Sequence, residues 1–300
     1  MALSHSLCAL PRRPRCFVRT KSTQQSILSA AARGDAEGIY LALKHHELSP
    51  ISVATAAHRL AKLRPLRASN TLRQRGLREL QAPILAAHTD FGAQATANTV
   101  WTLAVLRSTD EIVWESLSHR ASQQVQQFSG RHLSNLAWSV AILSRSDAPL
   151  LMMLSCEVMQ KVKEMSPQSL ANILWSFAFL AIWDSEMLRP SLDAVHTSAP
   201  AFNSRDLSNT LWALSLYRGS ETDGFDWKRL LVSLANVAKV QAEGGLHPND
   251  LTSIAWAFVD ATPLQMHWLQ RAAASPSKDQ NTWATEPTEP QRPASYEPLD

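Results

Sequence analysis

Ser166-Pro-Gln-Ser-Leu-Ala-Asn172-Ile-Leu-Trp175-Ser-Phe-Ala-Phe-Leu180 is written several times over in this chain. Leu133-Ser-Asn135-Leu-Ala-Trp138 and Leu207-Ser-Asn209-Thr-Leu-Trp212 repeat it closely. Asn98 with Trp101, and Leu251 with Trp256, repeat it in part. Trp101, Trp138, Trp175 and Trp212 stand at intervals of 37 residues, and Trp256 follows 44 further on. A fixed period of this size is the signature of stacked structural repeats.

Each copy carries its own helix start. Met165, Ser166, Pro167 and Leu170 read as a hydrophobic staple around a capping serine, with proline at the first helical position. Phe128/Ser129/Leu133 and Phe202/Asn203/Leu207 keep that frame, and Phe91/Gly92/Thr96 keep it loosely. Leu246, His247, Pro248 and Leu251 give a late variant. Leu48-Ser49-Pro50 with Val53 and Thr55 gives an early one, with His58 in the tryptophan slot. The expected starts of this first helix, A, are therefore near 49, 92, 129, 166, 203 and 247, with the irregular ones at the two ends as capping repeats.

Around helix A the apolar residues cover nearly the whole circumference, as in a helix buried between layers. Small residues flank the indole, among them Ala171, Ser176 and Ala178. Helix B, read in 150–162 and 227–240, is amphipathic, with Glu157, Lys161, Lys163 and Glu164 on its outer side. The expectation is an all-α fold: an α-solenoid of about six two-helix repeats with a period near 37.

Composition sets the limits. The chain has 300 residues, 45% of them hydrophobic, only 9 glycines and a net charge of +3, and its pI is near 8.9. A mildly basic balance permits a nucleic-acid partner without demanding one. Cys8, Cys16 and Cys156 give neither a disulfide framework nor metal spacing, and no apolar run is long enough for a membrane span. Residues 1–34 are rich in arginine and serine and hold no acid before Asp35, the composition of an organellar transit peptide, and are expected to be disordered. The repeat domain is expected over 35–271, opening with a short helix in 36–47. Residues 272–300 turn to Pro, Ser, Thr and Glu and are expected to be a disordered tail. The array stops after Gln270 without a second terminal cap, as in a short repeat protein or a piece of a longer one.

The repeat string resembles the octotricopeptide repeat of organellar RNA-binding proteins. It is also similar to helical repeats of the FAST-kinase-like family and of subunits of the mitochondrial RNA-editing substrate-binding complex. The resemblance covers about residues 48–270 and is sharpest for Leu133-Ser-Asn135 with Trp138, Leu170-Ala-Asn172 with Trp175, and Leu207-Ser-Asn209 with Trp212. It implies a role in processing, stability, editing or translation of organellar transcripts. It further implies a location in the mitochondrial matrix or plastid stroma, the mitochondrion slightly favoured. Many FAST-kinase-like members end in a nuclease-like RAP domain; none is recognisable here, so no nuclease activity carries over.

No phosphate loop, nucleophile elbow or zinc-spaced His/Cys pair is present, and His45-His46 is a poor ligand pair because adjacent helical residues point apart. The expectation is no enzyme, no cofactor, no metal and no small-molecule substrate. The expected partners are single-stranded organellar RNA and other subunits of a ribonucleoprotein complex. Where helical repeats read RNA, two or three side chains of each unit meet one base. The candidate slot is the second and third helical residues: Gln94/Ala95, Arg131/His132, Gln168/Ser169, Arg205/Asp206 and Asn249/Asp250. Arg59, Lys62, Arg64, Arg67, Arg73, Arg75 and Arg78, which precede the next acid at Glu79, would attract phosphates. The identical Asn98, Asn135, Asn172 and Asn209 are expected to form a structural ladder of satisfied amides, and the tryptophans to be core. The alternative is a scaffold that holds protein subunits without touching RNA, for which the Met-rich segment 150–153 would suit an adaptable groove.

Overall fold

A computed structural model describes residues 17–44, 48–145, 147–182, 184–217, 225–243 and Ile254. The start near 247, Asn249, Asp250, Trp256, His45, His46 and the tail from 272 lie outside these residues. Thirteen α-helices and no strand occur among the described residues: α1 (Phe17–Ala32), α2 (Ala36–Leu43), α3 (Pro50–Lys62), α4 (Arg64–Ala68), α5 (Asn70–Ala87), α6 (Ala93–Val105), α7 (Glu111–Gln124), α8 (Gly130–Ile142), α9 (Ala148–Lys161), α10 (Pro167–Phe179), α11 (Ser185–Ser198), α12 (Ser204–Tyr217) and α13 (Trp227–Glu243). The chain is all-α and visibly repetitive.

Helix A is α3, α6, α8, α10 and α12, and the starts expected near 49, 92, 129, 166 and 203 are where these helices begin. The caps explain the placement. Ser49, Ser129 and Ser166 accept hydrogen bonds from the backbone N–H of Ser52, His132 and Ser169. Asn203 accepts one from Asp206 at 2.9 Å. Gly92 starts α6 without a side-chain cap. Each such bond satisfies a donor that the helix itself leaves unpaired.

The B helices have a column of their own that the tryptophan period hides. Asp110, Asp147 and Asp184 cap α7, α9 and α11, accepting from Val113, Leu150 and Met187. The A-to-B turn is equally periodic. Arg107, Ser144 and Ala181 have φ of 52°, 50° and 54°, the left-handed region. In each turn two backbone bonds close a Schellman motif, as in Ala181 N–H to Ala178 O (3.1 Å) and Ile182 N–H to Phe177 O (2.9 Å). None of the three is the usual glycine.

Packing runs in two layers. In one, α3, α6, α8, α10 and α12 each pack on the next; in the other, α5, α7, α9, α11 and α13 do the same. The A helices meet along far more of their length than the B helices do. Small residues allow this: Ala137, Ala141, Ser139 and Ser176 are fully buried between neighbours. Between the layers lie Leu133, Leu136, Leu170, Ile173, Phe177, Leu207 and Leu211, each at most 1% exposed. Burial of one such side chain contributes about 1.5–3 kcal/mol.

Three of the pairs are also clamped. The last turn of helix B reaches back to the carbonyl that precedes helix A of its own unit. Gln124 Nε2 donates to Phe91 O at 2.6 Å, Lys161 Nζ to Phe128 O at 2.9 Å, and Gln241 Nε2 to Phe202 O. Between units, Arg145 pairs with Glu111 at 2.5 Å and lies over the Trp114 ring.

One expectation is corrected at the N-terminus. Residues 17–34 are not disordered: α1 packs on α2 and α3, with Ile27 and Ala30 buried in the common core. An arginine- and serine-rich composition conceals an apolar stripe sufficient to seat a helix. Residues 1–16 lie outside the described part. Helix α2 ends at Leu43, within the expected 36–47.

Candidate nucleic-acid interface

The side of the A layer that faces away from the B helices is built from one register. In α6 its partly exposed residues are Gln94, Asn98 and Trp101; in α8, Arg131, Asn135, Trp138 and Ile142; in α12, Arg205, Asn209, Trp212 and Leu216. In α10, Gln168, Asn172 and Phe179 reach the surface while Trp175 is 6% exposed. Steps of three and four residues put these side chains in a single stripe on each helix. Stacked helices turn the stripes into columns.

The second helical position reaches the surface: Gln94, Arg131 and Gln168 are exposed and Arg205 is half-exposed. Gln168 and Arg205 each have an interaction partner within the fold. The third position does not. Ser169 and Asp206 are buried, and Ser169 Oγ accepts from Ser134 Oγ of the preceding A helix at 3.4 Å. His132 completes a capping box with Ser129 and meets the Phe128 ring edge-on at 5.8 Å. The first turn winds this position toward the neighbouring helix, so Asp206 is withdrawn from the open face, while His132 stays half-exposed and held by its capping box.

The asparagines are the second correction. Their backbone carbonyls are the ones engaged: Thr102, Ser139 and Ser176 donate to the oxygens of Asn98, Asn135 and Asn172 at 2.9, 2.7 and 2.6 Å. Among the described residues, the side-chain amides of Asn98, Asn135, Asn172 and Asn209 make no hydrogen bond, and all four are half-exposed. They form no satisfied ladder. The tryptophans divide. Trp175 is core and stacks on Phe179 with ring centroids 4.9 Å apart. Trp101, Trp138 and Trp212 pack against the core with an edge left open. Trp212 lies 5.9 Å from Trp175, and Trp101 lies 5.4 Å from His58.

The basic block splits. Arg59 and Lys62 are exposed near the end of α3 and, with Arg131, share one neighbourhood. Burial pushes His58 down to about 4, and Lys62, Arg59 and Arg131 push it the same way. Lys62 is lowered as well, by burial first and then by Arg59, Arg131 and Arg67. The leading charges acting on these two groups are all positive. Such a concentration is an electrostatic site for an anion.

The other cations of the block are engaged differently. Arg75 pairs with Glu37 at 2.6 Å and lies over the Tyr40 ring at 5.1 Å. Arg78 borders a shallow cleft between α5 and α7 with Gln74, Thr109 and Asp110. Arg73 keeps a buried Nε without a partner, and Arg67 has a partner within the fold. Among the described residues no cluster of His, Cys, Asp or Glu could hold a metal ion. No described helix is long and apolar enough to cross a membrane. No protein-family model matches the chain, and no curated protein does.

Proposed function

We propose that this chain is an RNA-binding α-solenoid, built of two-helix units with a period near 37 residues, that acts in post-transcriptional metabolism of organellar transcripts. The observation that carries the reading is the open A-helix face. Arg59 and Lys62 of α3 and Arg131 of α8 concentrate positive charge on it, and successive units present equivalent polar side chains along it. Gln94, Arg131, Gln168 and Arg205 offer edges for bases or phosphates, and the open tryptophan edges offer stacking surface. One base per unit gives a footprint of about five nucleotides, which favours work within a larger ribonucleoprotein complex. The acid-free, arginine-bearing residues 1–16 ahead of α1 support an organellar address, with the mitochondrion ahead of the plastid.

Fluorescence-polarisation binding of the full chain to a pool of short single-stranded RNAs tests this. Binding in the micromolar range or tighter, weakening steeply with salt, is expected. A folded, helical preparation that binds no RNA at low salt refutes it. The scaffold reading has one observation in its favour: Ile112 and Met152 are 63% and 68% exposed on consecutive B helices. It gains only in that second outcome.

A further inference from the structure

The asparagine column differs from the polar residues beside it because it repeats without variation. Asn98, Asn135, Asn172 and Asn209 occupy one register position in four consecutive A helices. A recognition surface that varies from unit to unit suits a mixed sequence; one that is identical suits a ligand whose own chemistry repeats at the same step. We propose that this column binds a run of adenines in single-stranded RNA, one base per unit. The proposal rests on the RNA reading above and deepens it.

Three features carry it. First, the amides are free. Each is half-exposed and makes no hydrogen bond among the described residues, whereas several buried hydroxyls of the A helices are engaged. Thr96 bonds Gln124, Thr99 bonds Ala95 O, and Ser134 bonds Ser169. Second, the backbone that carries the amides is held in place. The hydroxyls of Thr102, Ser139 and Ser176 tie down the carbonyls of Asn98, Asn135 and Asn172, and the A helices around them are closely packed. Stacked helices lie about 8–10 Å apart, which sets the step of the column.

Third, the chemistry matches. An asparagine amide presents one acceptor and one donor group side by side. Adenine offers the complement on its open edge, an N6 amino donor next to the N7 acceptor. In a single strand that edge is unpaired and accessible. Next along each stripe stands a tryptophan; Trp101, Trp138 and Trp212 are half-exposed, and Trp175 and Trp212 face one another at 5.9 Å. A purine held by the amide has an aromatic floor within reach for stacking. Arg59 and Lys62 of α3, with Arg131 of α8, supply the charge for the phosphates of the same strand.

The test measures binding of the full chain to short oligoadenylate, oligouridylate, oligocytidylate and a mixed sequence at one salt concentration. Oligoadenylate is expected to bind at least about tenfold more tightly than the others. The same oligomer made with 7-deazaadenosine, which lacks the N7 acceptor, is expected to lose about tenfold or more. That comparison needs no altered protein. The Asn135→Ala/Asn172→Ala variant is expected to halve the preference on a logarithmic scale, because Asn98 and Asn209 remain, and to keep its affinity for the mixed strand, which shows that the variant is folded. Equal binding of all strands, or a preference for another base, or indifference to the deaza substitution overturns the adenine proposal while leaving the RNA reading intact. Failure to bind any RNA overturns both.

Discussion

Neutralising the cationic cluster of the A face has a consequence that can be calculated. Arg59→Gln, Lys62→Gln and Arg131→Gln together remove three charges that act on one another strongly enough to appear in the ionisation of His58 and Lys62. Each phosphate contact of a single strand contributes about 0.7 to the slope of log affinity against log salt. If all three cations meet phosphates, the triple variant loses about 2 units of slope. Between 50 and 200 mM salt the wild type should then weaken about 20-fold more than the variant does. Polarisation titrations over a salt series read this directly. Arg75→Gln is the control, because its guanidinium is committed to Glu37 and Tyr40; it should leave the slope unchanged. An unaltered slope in the triple variant, or an equal change in the control, would refute the assignment of this cluster to RNA.

Other expectations concern the frame that holds the face. Ala181 is exposed at φ 54°. Ala181→Gly relieves about 1–2 kcal/mol of left-handed strain against about 0.4–1 kcal/mol of added freedom in the unfolded chain, so the urea midpoint should rise. Ala178→Gly, three residues earlier in the helix interior, should lower it. Thr210 is fully buried with a hydroxyl that has no partner, where sister units carry Leu136 and Ile173. Thr210→Val should therefore stabilise by about 1 kcal/mol, read by chemical denaturation. His58 stays neutral in the folded protein down to about 4, whereas an unfolded histidine protonates near 6.5. The unfolded state thus binds the extra proton as pH falls from about 6.5 to about 4, and stability drops across that window. His58→Gln should flatten this fall relative to wild type, as measured by thermal melts at stepped pH. A bound phosphate strand should raise the His58 ionisation, visible in its ring proton shifts.

Much of the scaffold was legible because its signals are local. The caps at Ser49, Ser129, Ser166 and Asn203 satisfy donors within three residues, so sequence alone places them. The aspartates at 110, 147 and 184 follow the same period and could have placed the B helices equally well. What escaped depends on packing. Whether Asp206 faces solvent or a neighbour is decided by how far the first turn winds before the next helix arrives. Residue composition is blind to the few apolar positions, Ile27 and Ala30, that dock α1. The free state of the asparagine amides was hidden for a related reason: four identical residues between apolar neighbours look alike whether their amides are paired or open.

The unequal contact between layers has a mechanical meaning. Where one layer of a stack is tightly joined and the other loosely, bending takes place mainly by spreading or closing the loose side. The neutral line of flexure then runs through the A helices. Curvature can change while the distance from Asn98 to Asn135 to Asn172 to Asn209 stays nearly constant, so the spacing of this column is what bending of the stack alters least.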